Sequence, residues 1–192
     1  MGKLGLLSDR IEFRSALQRI GALLLAALVC GIAPVSAQDT RSSPEDRARF
    51  VSITRQLEQS PLEASLDTDR KWALNWLTDA PDVSVVVCAD TIGGLLNSDY
   101  PHLPEIAVQY MFSMAAQIIE HPELTSDPLA QQLAGVEGAL TAYRSILRDE
   151  PQATSPVLEG MIEARARGEL PGLVRKALGN CAASEQREQL HR

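Results

Sequence analysis

From Pro104 to His121 the chain leaves few positions for water. Ile106, Val108, Tyr110, Met111, Phe112, Met114, Ala115, Ile118 and Ile119 crowd the segment PEIAVQYMFSMAAQIIEH. Its polar residues Glu105, Gln109, Ser113 and Gln117 recur every fourth position and form one narrow stripe. A helix this apolar around its circumference is buried among other helices. Pro104 opens it, because the N–H that proline lacks has no intrahelical partner at that position. His121-Pro122 ends it, since proline disfavours the helical region for the residue before it. The pattern predicts a central helix over 104–121, with the stripe as its one wet edge or, alternatively, as the lining of a polar pocket. Met111 and Met114 read as core filler.

Shorter apolar patterns flank this centre. Ser43-Pro44-Glu45-Asp46 is a cap, a proline at the first position and acids in the first turn, the signature of a helix start. Phe50, Ile53 and Leu57 follow at helical spacing, so 44–59 is amphipathic. Ser60-Pro61 repeats the cap for a short turn, and Asp67 is positioned to cap a helix over about 68–78 carrying Trp72 and Trp76 one turn apart. Those two tryptophans read as core, with a stacking or docking surface as the alternative. The run VSVVVC (83–88) has strand propensity. No partner strand is evident, however, and an unpaired buried strand leaves its backbone unsatisfied. The reading is therefore a helix capped by Asp82 and running to about Ile92, stopped by Gly93-Gly94, with a loop over 97–103.

Beyond the centre, Asp127-Pro128 starts the longest helix, 128–149. Leu129, Leu133, Val136, Leu140, Tyr143 and Leu147 step along it by alternating fours and threes, a heptad seam. Gly135 and Gly138 each cost up to about 1 kcal/mol in a helix interior, so close approach of the central helix is expected there. A helix over about 156–167, closed by Gly168, precedes a short one over 170–178 that ends at Gly179-Asn180; residues 184–192 form a polar tail. The segment Ala139-x3-Tyr143-x2-Ile146-Leu147-x3-Pro151 resembles the second helix of a tetratricopeptide repeat. The first-helix signature is absent upstream and no second copy follows, so no repeat architecture is implied. The fold class expected is all-α: an irregular or orthogonal bundle of about six to eight helices in one domain, 44–183.

The first 37 residues stand apart. Lys3, Arg10, Arg14 and Arg19 precede an apolar run, Gly21 to Ile32, and Val35-Ser36-Ala37 offers small residues to a signal peptidase. This is the pattern of a cleaved export signal, with an uncleaved anchor as the alternative. Cys30 lacks the small preceding residue of a lipobox. Cleavage after Ala37 leaves residues 38–43 as a loose leader and places the protein in the periplasm or outside the cell. It also leaves 14 Lys+Arg against 23 Asp+Glu. A net charge of −9 argues against nucleic acid or anionic lipid as a partner, since both are held by clustered cations. Only Cys88 and Cys181 remain, and in an oxidising compartment two cysteines imply one disulfide.

Chemistry is harder to find. No HExxH, Gly-rich phosphate loop, GxSxG or EF-hand loop occurs in the sequence, and three scattered histidines make no metal motif. No cofactor is expected. The most reactive neighbourhood is Asp90, Asp99, Tyr100 and His102, where Asp99 and His102 would act as an acid–base pair or bind a cation; the plainer reading is a turn-capping Asp and a surface His. The expectation is thus an exported, non-catalytic helical protein working through a protein partner in an accessory, protective or immunity-like role. The alternative is a small-molecule binder or enzyme with its site near residues 90–102.

Overall fold

The computed structural model describes residues 41–190. The expected export signal, its cleavage point after Ala37 and Cys30 lie outside them. The described chain is all-helical, and six α-helices pack together: α1 (Pro44–Gln59), α2 (Asp67–Asp79), α3 (Leu103–Glu120), α4 (Pro128–Asp149), α5 (Pro156–Ala166) and α6 (Leu170–Leu190). Three 3₁₀ segments, Ala64–Leu66, Ala89–Asn97 and Pro122–Leu124, complete the order. No helix among the described residues is long and apolar enough to cross a membrane.

The cap-then-proline signals set three of the helix starts. Ser43 Oγ accepts from the Asp46 N–H at 3.0 Å, Asp127 Oδ1 from Ala130 at 3.1 Å and Ser155 Oγ from Leu158 at 3.4 Å. Each satisfies an amide that the first helical turn leaves free. Two other caps differ from expectation. Glu63 takes the Ser65 N–H to cap Ala64–Leu66, in place of Ser60. Asp67 is the first residue of α2 and gives its carboxylate to Arg70.

Helix α3 is central because both of its apolar faces are used. Ile106, Tyr110 and Met114 join a core with Val136, Leu140, Tyr143 and Ile146 of α4 and with Leu158 and Val174 of α5 and α6. Phe112 and Ala115 face a second core with Phe50, Ile53 and Leu57 of α1 and Ala73 of α2. Trp76 belongs to that second core: its ring lies 4.8 Å from Phe50, and Trp72 stacks on it at 6.1 Å. Trp72 is roofed by the Arg49 guanidinium, 3.9 Å above its ring. The tryptophans are thus half-buried core residues with one covered edge.

The two glycines of α4 mark the closest approach in the fold. A Cβ on Gly135 would sit 2.7 Å from Tyr110 Cδ2 and 2.8 Å from Met114 Cγ. One on Gly138 would overlap Ser113 Oγ and lie 2.5 Å from Ser113 Cβ. Real Cβ atoms do not approach so near, so the missing side chains let α3 and α4 pack backbone against backbone.

Two stretches depart from the sequence reading. Residues 83–88 are not helical: the chain runs there without a turn or a bend, and Cys88 is extended at φ −96°, ψ 107°. Asp82, expected to cap a helix, is occupied elsewhere. Its carboxylate accepts from the Ser42 amide at 3.0 Å and from Arg47 Nη2 at 2.6 Å. With the cap withdrawn and β-branched residues crowding χ1, nothing favours nucleating a helix. The 3₁₀ segment that follows passes through Gly93-Gly94 to Asn97, so the glycines interrupt nothing. At the other end, α6 continues through Gly179-Asn180 to Leu190 rather than stopping near residue 178. A Cβ added at Gly179 would meet no atom beyond its own helix within 4 Å, so no close approach requires the glycine there. Cys181, on α6, and Cys88 have their sulfurs at bonding distance, with Cα atoms 6.0 Å apart. The disulfide ties α6 to the end of the extended stretch.

Candidate functional site

The four residues singled out from sequence do not converge. Asp90 is exposed and lines a small groove with Met161, Leu173, Lys176 and Asn180. Asp99 is exposed. Tyr100 and His102 do meet, edge to face at 5.9 Å, and Tyr100 also contacts Tyr143 at 6.0 Å. The carboxylate partner of His102 is Glu150, at the end of α4, with Nε2 and Oε2 2.9 Å apart. Burial raises the Tyr100 phenol above its ordinary range, with Tyr143, Glu105 and Glu150 adding to the effect, and its hydroxyl makes no hydrogen bond. A neutral, unpartnered phenol beside a His–Glu pair offers no activated nucleophile. Among the described residues no group of three or more His, Cys, Asp or Glu side chains is placed to hold a metal ion.

The middle of the polar stripe of α3 is dry, while Glu105 and Gln117 at its ends are half-buried. Gln109 and Ser113 are each only 2% exposed, because α1 delivers a carboxylate to them and Gly138 of α4 closes over them. Ser113 Oγ donates to Glu58 Oε1 at 3.0 Å and accepts from Gln109 Nε2 at 2.9 Å. Arg55 donates to Glu58 at 2.7 Å and to Glu120 at 2.6 Å, and Ser145 Oγ donates to the Glu58 carbonyl at 2.8 Å. A groove of about 450 Å³ opens beside this cluster, lined by Arg55, Gln117, Glu137 and Thr141. Its charged groups are paired within the fold, Glu58 and Glu120 sharing Arg55 and Glu137 meeting Arg165 at 2.8 Å. The cluster fixes three helices to one another.

What remains unsatisfied is the extended stretch. Val83 is buried, Ser84 exposed, Val85 half-buried and Val86 67% exposed, the alternation of a strand with one face on a core. Val87, at 46%, and Leu74 of α2, at 41%, add to the exposed apolar surface. Between arm and helix lies a groove of about 420 Å³ lined by Leu74, Leu77, Pro81, Val83, Val85 and Met111. The arm is held at three points. Asp82 is clamped by Arg47 at its start, Cys88 is bonded to α6 at its end, and Gln132 of α4 donates to the Val86 carbonyl at 2.6 Å while accepting from the Tyr110 hydroxyl. Sequence reasoning missed this edge, although the three valines that build it carried the strand signal.

Compared with known protein families, curated proteins and solved structures, the chain matches none.

Proposed function

We propose that this is an exported helical protein, working in the periplasm or outside the cell, that acts by binding another protein and is not itself an enzyme. One observation carries the reading: Val86, Val87 and Leu74 are exposed on and beside the arm, and Leu74 lines a groove there with Leu77, Val83, Val85 and Met111. Apolar side chains gathered around a groove mark an interaction surface more often than scattered ones do. The export signal pattern and a disulfide, a bond that persists in oxidising compartments, support the address. The fixed anchoring of the arm supports a binding role, because a surface held in place before contact loses less entropy on association.

The test places a photo-crosslinking amino acid at Val86, and separately at exposed Arg144 on α4, in the cell that exports the protein. A discrete heavier product from position 86, absent from position 144 and lost when Val87→Asp is added, is the expected result. Its mass also reports whether residues 1–37 are gone. No product from position 86, with the protein folded and exported, overturns the reading.

A further inference from the structure

The exposed arm has free backbone as well as free side chains. Among the described residues, no N–H of residues 83–87 donates a hydrogen bond, while that of Cys88 turns inward to the Tyr110 hydroxyl. The carbonyls that accept one are those of Val86, from Gln132, and Cys88, from the Thr91 amide at 3.0 Å. In an extended chain the N–H and C=O of one residue point the same way, and those of its neighbours point oppositely. With the Val86 carbonyl turned toward α4, the polar groups of Val85 and Val87 turn to the other edge. That edge is an unpaired strand, a ready template for another.

Charge narrows what fits. Asp79 closes α2 just before the arm and Asp90 follows just after it; both are exposed, and neither forms an ion pair among the described residues. Asp82 is already neutralised by Arg47. Lys176 shares the groove of Asp90 without closing on it. A second copy of this chain would bring its own exposed Asp79 and Asp90 to the same edge, which opposes self-pairing.

We propose that residues 83–87 are completed by an extended apolar segment of a partner protein, flanked by lysine or arginine and added as a β-strand along this edge. Its alternate side chains would enter the groove between Leu74 and Met111, and its cations would meet Asp79 and Asp90. This rests on the interaction reading above and names the partner's chemistry.

The probes are fluorescent synthetic peptides offered to the disulfide-intact protein: an alternating valine–threonine strand flanked by lysines, the same strand flanked by glutamates, and the lysine peptide N-methylated at alternate residues. Anisotropy should show the lysine peptide binding roughly tenfold or more tightly than either other, with the advantage over the glutamate peptide shrinking in high salt. Hydrogen exchange should show the Val85 and Val87 amides becoming protected. Asp79→Lys with Asp90→Lys should invert the preference between the charged peptides. Equal binding of all three peptides, or unchanged exchange at Val85 and Val87, overturns strand addition. A native mass of two chains with those amides already protected overturns the choice of partner in favour of a second copy. A crosslinked product at position 86 alongside failed peptide binding would sink this inference and leave the interaction reading standing; loss of both would sink both.

Discussion

Gly138 shows how much a single absent side chain decides. Its missing Cβ is the space occupied by Ser113, and Ser113 in turn holds Glu58 and Gln109. Replacing glycine by alanine in a helix gains up to about 1 kcal/mol. Overpacking a tight contact costs about 1–3 kcal/mol, and here the obstacle is the neighbouring Cβ as well as the hydroxyl. Gly138→Ala should therefore lower stability by about 1–2 kcal/mol in chemical denaturation. Gly160→Ala on α5, where the added Cβ would meet no atom beyond its own helix within 4 Å, should raise it by up to about 1 kcal/mol. If both substitutions stabilise, the close approach of α3 and α4 is not as tight as described. At this scale the sequence was partly legible. Two glycines inside a heptad seam pointed to the neighbour they accommodate. Glu58 was not legible, because on α1 it is one of several acidic residues, and its partner Ser113 is 55 positions away.

At the scale of elements, the extended arm and α6 are best treated as one unit joined by Cys88 and Cys181. The bond closes a separation of 93 residues, for which the chain-entropy view gives a stabilisation of about 4–5 kcal/mol. Because Cys88 is only 4% exposed, alanine is a better probe than serine, which would bury a hydroxyl. Cys88→Ala and Cys181→Ala should each lower the unfolding free energy by a few kcal/mol, about 4–5 at most, and the double variant should lose little more than either single one. Additive losses would mean that the two sulfurs act independently. Helix boundaries set by local capping were readable: Ser43, Asp127 and Ser155 each cap where their spacing predicts. The arm was not, since Asp82 is a good cap by type and is diverted by Ser42 and Arg47, 40 and 35 residues upstream. The length of α6 was hidden too, since a glycine–asparagine pair favours a helix end and here the helix runs through it to Leu190.

Across the whole molecule, the three tyrosines form an internal gauge of folding. All are buried, and burial raises each phenol; Tyr110 and Tyr143 are pushed up to about 12 from 10.0, Tyr143 with added help from its hydrogen bond to Glu159. A raised folded value favours the neutral form, so this contribution is full below the unfolded value and is lost as pH climbs from 10 toward 12. Near-ultraviolet absorbance should show almost no phenolate in the native protein through pH 10, whereas in denaturant about half should be ionised there. A native titration near pH 10 would show that a tyrosine is in water. The covalent bond between α6 and the arm has a topological result as well. It makes the chain from residue 88 to residue 181 a ring that contains α3, α4 and α5 whole, while α1 and α2 lie outside it. A protease that cuts once within the ring yields no separate fragment and only opens a circle, whereas a single cut before it detaches a piece held by packing alone.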